Sequence, residues 1–215
     1  MRTQFDEQLE RLHLELIRMG ALCEDAISAA AKALLEQDAT LADKAREAEE
    51  EIDRAESDVE RLCLQLLLRQ QPVAKDLREI SSALKMISDL ERIGDQAADI
   101  AELSGYVADA SDAGRTHIGD MARATISMVT DSVDSFVKRD LELARAVCAA
   151  DDKVDALFQD VKKEIVGMIS TDSSKGELAL DLLMVAKYFE RIGDHATNVA
   201  EWVEYSLTGV HWNNN

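Results

Sequence analysis

The pentapeptide Glu91-Arg92-Ile93-Gly94-Asp95 recurs unchanged as Glu190-Arg191-Ile192-Gly193-Asp194. It is the densest point of a repeat that runs through the chain. An offset of 102 (140 − 38) carries Asp38 to Asp140, Leu34 to Phe136, Leu41 to Leu143, Ile52 to Val154, Val59 to Val161 and Leu66 to Met168. Farther on the offset falls to 99 (190 − 91), and there it carries the pentapeptide to its copy, Ile100 to Val199 and Glu102 to Glu201. The lost residues are a shorter connection in the second half. A chain repeated in this way must fold as two similar units, so every element of the first half should have a counterpart in the second.

Those elements are helices. Aromatics are 4% of the residues and Pro72 is the single proline, a composition that favours helix over strand and leaves little for long loops. Leu9, Leu12, Leu16, Met19, Cys23, Ala26 and Ala30 follow a three-four apolar rhythm, the seam of a first helix running to about Gln37. Asp38 caps a second helix that carries Leu41, Ala45, Ile52, Val59, Leu62, Cys63 and Leu66 and ends near Gln70, because Pro72 disfavours helical geometry just before it. Pro72 suits the first turn of a third helix, which fades between Ser104 and Asp112. A fourth is expected from about Thr116 to Arg139, a fifth from Asp140 to near Ser170, and a sixth from the turn cluster Asp172–Gly176 to about Ser206, before an aperiodic tail ending at Asn215. The fold class is therefore all-α: two tandem, structurally similar three-helix bundles, residues 1–112 and 113–215, divided at Ser111-Asp112-Ala113-Gly114.

A net charge of −19 excludes several functions. Such a surface repels nucleic-acid phosphates and anionic lipid, so no nucleic acid is expected, and a membrane only indirectly through partners. It suits metal cations or a partner with a basic patch. Cys23, Cys63 and Cys148 are far apart and read as small apolar side chains on buried helix faces in a reducing compartment. The polar N-terminus is no signal peptide, and no apolar run is long enough to cross a bilayer, so a cytoplasmic protein is expected.

Within the helices, acids recur four residues apart, a spacing that puts them on one face. Glu91, Asp95 and Asp99 form one line; Glu190, Asp194 and Asn198 form its copy. The preceding helix of each half adds a pair, Glu49 with Asp53 and Asp151 with Asp155. If these faces meet across an antiparallel helix pair, each half gathers four or five oxygen-bearing groups, a donor set for a hard ion such as Mg²⁺, Mn²⁺, Ca²⁺ or iron. The plain alternative is solvated charge, with Arg92 and Arg191 pairing to the Asp three residues on, Arg46 to Glu49, and Lys187 to Glu190. Gly94 and Gly193 cost a helix up to ~1 kcal/mol each relative to Ala. They mark either a close helix approach or a bare backbone that opens access to an ion. His195 follows Asp194 but points about 100° away, and so serves at most as an outer neighbour. The Glu10-x-x-His13 spacing of di-iron bundles occurs on the first helix without a copy in the second half, so His13 reads as structural. The chain has no Ser-His-Asp set, phosphate loop or Gly-x-Gly-x-x-Gly.

The doubled Glu-Arg-Ile-Gly-Asp segments, with Ala97-Ala98-Asp99-Ile100-Ala101-Glu102 and Ala196-Thr197-Asn198-Val199-Ala200-Glu201 after them, resemble the PhoU family of phosphate-transport accessory proteins, as does Arg69-Gln70-Gln71-Pro72-Val73-Ala74-Lys75-Asp76-Leu77-Arg78. The resemblance spans roughly residues 4 to 206. It implies a cytoplasmic adaptor, not an enzyme, often a homodimer. Such an adaptor restrains uptake by the Pst ABC transporter, through contact with its ATPase subunit, and phosphate-starvation signalling through a PhoR-type sensor kinase. It also implies metal ions (iron, zinc, manganese or magnesium) on the pairs Glu49/Asp53, Glu91/Asp95, Asp151/Asp155 and Glu190/Asp194. A carboxylate-bridged metalloenzyme and a metal-free helical module are the rival readings.

Overall fold

In the computed structural model, residues 2–70, 72–107 and 112–210 are described, with the side chains of 5–68, 72–107 and 117–210. They form six helices and no strand: α1 (Arg2–Glu36), α2 (Ala39–Gln70), α3 (Ala74–Leu103), α4 (Asp112–Lys138), α5 (Leu141–Thr171) and α6 (Gly176–Thr208), with a 3₁₀ turn, Ser173–Lys175, before α6. The apolar rhythm of α1 becomes a buried stripe: Leu12, Leu16, Met19, Cys23, Ala26 and Ala30 have no exposed surface.

The helix ends follow local chemistry, and the repeat extends to them. α1 and α4 both stop at a residue in the left-handed conformation, Gln37 (φ 57°) and Arg139 (φ 56°), which are related by the offset of 102. An aspartate follows each. Asp38 Oδ1 accepts from the Thr40 N–H at 2.9 Å, and Asp140 Oδ1 from the Leu143 N–H at 3.0 Å, satisfying donors that the first turn leaves open. Asp172 does the same for the Ser174 N–H at 3.0 Å in the connection before α6. Three expectations need correction. Pro72 sits ahead of α3 rather than in its first turn, with extended Val73 as the helix boundary. α4 begins at Asp112, earlier than Thr116, so Asp112, Ala113 and Gly114 belong to its first turn. α6 continues to Thr208 before Gly209 (φ 76°) closes it. Ser111 and the tail from His211 to Asn215 lie outside the described residues.

α1, α2 and α3 pack as one bundle and α4, α5 and α6 as a second. The halves meet through α1 on α4 and α3 on α6, and their buried side chains form one continuous core. On the α1–α4 side the helices come close at Gly20, where a Cβ would lie 3.0 Å from Val133 Cγ2. The α3–α6 side is antiparallel and locally two-fold. Arg78 lies beside Gly209, Asp89 beside Asn198, and Asp99 beside Tyr188. Asp89 maps to Tyr188 and Asn198 to Asp99 by the offset of 99, so the third pair is the positional image of the second. Cys23 and Cys63 are buried and Cys148 is half-buried; all three are free. No described helix is long and apolar enough to cross a membrane.

Candidate cation-binding faces

Both repeated glycines are points of close helix approach. A Cβ on Gly94 would stand 2.9 Å from Ile52 Cδ1 and 3.3 Å from its Cγ2. On Gly193 it would stand 3.0 Å from Asp151 Oδ1 and 3.4 Å from Val154 Cγ1. Ile52 and Val154 are counterparts, so α3 sits on α2 as α6 sits on α5. The smaller valine leaves the second half room for a carboxylate against the bare backbone.

This proximity brings the acid pairs of neighbouring helices within each other's field. Burial, then Asp53, Asp95 and Glu50, hold the Glu49 carboxyl above its usual range. Burial and Asp95 raise Glu91, with Glu56 and Asp53 adding to them against Arg92. In the second half, burial, reinforced by Asp194, Asp155 and Glu190, pushes Asp151 up to about 6. Asp194 is raised by burial, Glu190 and Asp155, against the charges of Lys187 and His195. Each effect has the sign expected when carboxylates crowd together and lose water. Asp151 Oδ1 is buried and accepts no hydrogen bond.

The arrangement departs from the sequence reading in several ways. Among the described residues no three His, Cys, Asp or Glu side chains gather closely enough to hold one ion. Arg92 donates to Asp95 at 3.0 Å and lies 3.4 Å from Glu91. Lys187 pairs with Glu190 as expected, but Arg46 takes Asp43 rather than Glu49. The charge of Arg191 acts on Asp99 of α3 and on Tyr188. Asn198 does not extend the line of Glu190 and Asp194, because its Nδ2 donates to Asp89 Oδ1 at 3.0 Å, and His195 Nδ1 meets the same oxygen at 2.9 Å. Asp99 stands at the edge of the first patch, raised by burial, Asp95 and Glu102 and lowered by Arg191.

Sequence reasoning missed a buried charge clamp. Glu79 is 4% exposed. Its Oε1 meets His13 Nε2 at 2.9 Å and its Oε2 accepts from Arg139 Nη1 at 2.5 Å, tying α1, α3 and the α4–α5 turn. Burial pushes this carboxyl up, but the bonds from His13 and Arg139 and the arginine charge outweigh it, leaving Glu79 below its ordinary value. The ring of His13 also packs edge-on against Phe136. These contacts tie His13 into the packing of the helices, although no spacing rule could have connected it with Glu79. A groove of about 810 Å³ runs between α2 and α3 beside the first acidic patch, from Arg46 and Glu49 to Glu102.

The PhoU domain matches this chain twice, over residues 16–104 and 118–203. The chain belongs to the PhoU family. Among PhoU relatives, the phosphate-specific transport system accessory protein PhoU homolog of Clostridium acetobutylicum is 39% identical, with 97% of this chain and 96% of the relative covered. The homolog of Pseudomonas aeruginosa is 34% identical over 96% of this chain and 86% of its own. The crystal structure of PhoU from Pseudomonas aeruginosa superposes with a TM-score of 0.90 at 33% identity, covering 96% of this chain and all of that one (100%). The PhoU regulatory protein of the phosphate transport system from Streptococcus pneumoniae gives 0.87 at 26% identity, over 96% and 98% of the two chains. The PhoU fold is thus the six-helix pair of three-helix bundles expected from the repeat.

Proposed function

We propose that this chain is an accessory and regulatory protein of a phosphate-specific transport system. The observation that supports this reading is the double PhoU match together with near full-length similarity to proteins that carry that name. Those relatives are named for an accessory role rather than for a reaction, and we read this chain likewise as a cytoplasmic adaptor. Its finer role is to restrain uptake by a Pst-type transporter through the ATPase subunit and to hold a PhoR-type sensor kinase in its repressing state when phosphate is plentiful. The working unit in this proposal is a homodimer.

The acidic faces carry metal ions in this reading: the donors are of the right kind, carboxylates with Asp151 Oδ1 a buried acceptor without a donor, and since no three of them converge among the described residues an ion would have to draw them together. Asp151, Asp155, Glu190 and Asp194 would hold an ion in the second half, and Glu49, Asp53, Glu91 and Asp95 in the first. Iron, zinc, manganese and magnesium are the candidates. A bound cation would cancel the mutual repulsion of these groups and supply a local positive charge on an otherwise acidic surface.

A strain lacking this protein should express phosphate-starvation genes in rich phosphate, and normal repression there would refute the adaptor role. Elemental analysis of the purified protein, set beside an Asp151→Asn/Asp155→Asn/Glu190→Gln/Asp194→Asn variant, tests the metal assignment. Equal metal in both would remove it.

A further inference from the structure

We infer that the groove between α2 and α3 is a receptor for a basic segment of a protein partner, one that lays an arginine side chain across Gln96, Asp99 and Glu102. The acids lining the groove are Glu49 and Glu50 on one wall and Asp95, Asp99 and Glu102 on the other. The two arginines on its rim are already engaged, Arg46 with Asp43 and Arg92 with Asp95. Glu50 is held by Arg54 at 2.8 Å. Among the described residues Glu49, Asp99 and Glu102 form no ion pair, which leaves the groove a surplus of negative charge.

A second observation specifies the kind of ligand. Gln96 lines the groove, is 5% exposed, and its Oε1 is buried without a hydrogen-bond donor. An unsatisfied buried acceptor costs stability until a donor reaches it. Asp99 and Glu102, groove acids outside the set proposed above for an ion, are left for a donor of another kind. A planar guanidinium with five fixed donors, carried on a flexible stem, can satisfy separated acceptors as a point cation cannot. The counterpart positions in the second half are not available for this. His195 and Asn198, which replace Gln96 and Asp99, are both held by Asp89. The repeat has kept an open acceptor in one copy and spent it on the α3–α6 seam in the other.

The inference deepens the adaptor reading, which supplies only the partner's identity. The groove itself is tested without any transporter component. A fluorescent peptide carrying three arginines between Gly and Ser residues should bind the full chain in the presence of EDTA, read by anisotropy. The same peptide with citrulline, which has the shape of arginine without the charge, should bind about tenfold more weakly or worse. Asp99→Asn/Glu102→Gln should weaken the arginine peptide about tenfold, and Gln96→Leu several-fold with the thermal melt retained. Glu142→Gln/Glu177→Gln, exposed acids on the other half, should leave binding within about twofold. Equal losses in the groove variant and this control would mean diffuse acidity and overturn the proposal. So would a groove that answers to Mn²⁺ alone and not to the peptide. Failure here would leave the reporter-strain result untouched, so the two readings fall separately.

Discussion

Gly94→Ala sets two known effects against each other at one carbon. The new methyl would gain ~1 kcal/mol of helix propensity over glycine. It would also stand 2.9 Å from Ile52 Cδ1, 3.3 Å from Cγ2 and 3.5 Å from Cβ, where carbon pairs prefer ~3.5–4.0 Å. Cδ1 can rotate away, but Cβ and Cγ2 move only with the backbone or with a stiff β-branched χ1. Ile52 is fully buried, so any shift must be made against neighbouring core side chains. Overpacking of this kind costs ~1–3 kcal/mol, and the net expectation is a loss of about 1 kcal/mol, or roughly 2–4 °C in melting temperature for a chain of this size. The assay is urea unfolding followed by helical circular dichroism, in a cycle with Ile52→Val. Alone, Ile52→Val should cost ~0.5–1.5 kcal/mol. In the Gly94→Ala background it should cost less than that or stabilise, because it removes the clashing Cδ1. Gly193→Ala should behave differently, since its nearest neighbour is the mobile end of Asp151. That variant should be neutral or up to ~1 kcal/mol more stable. A Gly94→Ala protein at least as stable as wild type, with no coupling to Ile52→Val, would refute this steric reasoning.

Other outcomes follow from the charged groups. Glu79→Gln leaves Arg139 without its counter-charge and weakens the bond to His13, and should cost about 2 kcal/mol, below the usual buried-pair range because Arg139 is partly exposed. Since the folded carboxyl of Glu79 lies below its ordinary value, its contribution is complete above ~pH 4.3 and is lost as pH falls below that; the acid limb of a wild-type pH–stability curve should flatten in the variant. Asp151 has the opposite sign. Its folded value of about 6 exceeds the ordinary 3.8, so the folded state binds the proton more tightly, and stability should rise as pH falls from 7 toward 4. Asp151→Asn should gain about 1 kcal/mol at pH 7.5 after discounting for solvent screening and lose that slope, both read from thermal melts in EDTA. Asp140→Ala removes the cap of α5 and should cost ~1 kcal/mol in the same melts.

The repeat and the three-four rhythm were enough to place six helices, because each helix buries an apolar stripe against its own bundle. They did not reveal how the bundles join. Ser82, Thr125, Ser132 and Ser135 have no exposed surface, yet they read as polar breaks in the pattern. Three of them satisfy their hydroxyls on their own helix: Thr125 bonds Met121 O at 3.0 Å, Ser132 bonds Val129 O at 2.8 Å, and Ser135 bonds Ser132 O at 2.7 Å. Small polar residues are therefore compatible with burial, and periodicity alone cannot distinguish such a face from a wet one. The acid pairs were legible because i, i+4 spacing is local. The bonding of Asn198 was not, since its partner Asp89 is 109 residues away. Nor could spacing choose between Asp43 and Glu49 for Arg46, which has one acid three residues on either side.

The local two-fold of the α3–α6 seam bears on how a duplicated protein avoids recognising the wrong copy of itself. Had both repeats stayed identical there, a first half could pair with the first half of another molecule as readily as with its own sibling, a route to open chains. Divergence at two positions blocks this. Two first halves joined through this seam would set Asp89 against Asp99, carboxylate facing carboxylate. Within one chain Asp89 meets His195 and Asn198, while Asp99 lies in the field of Arg191. The mismatch between the copies gives the tethered sibling an advantage over another molecule's first half during folding.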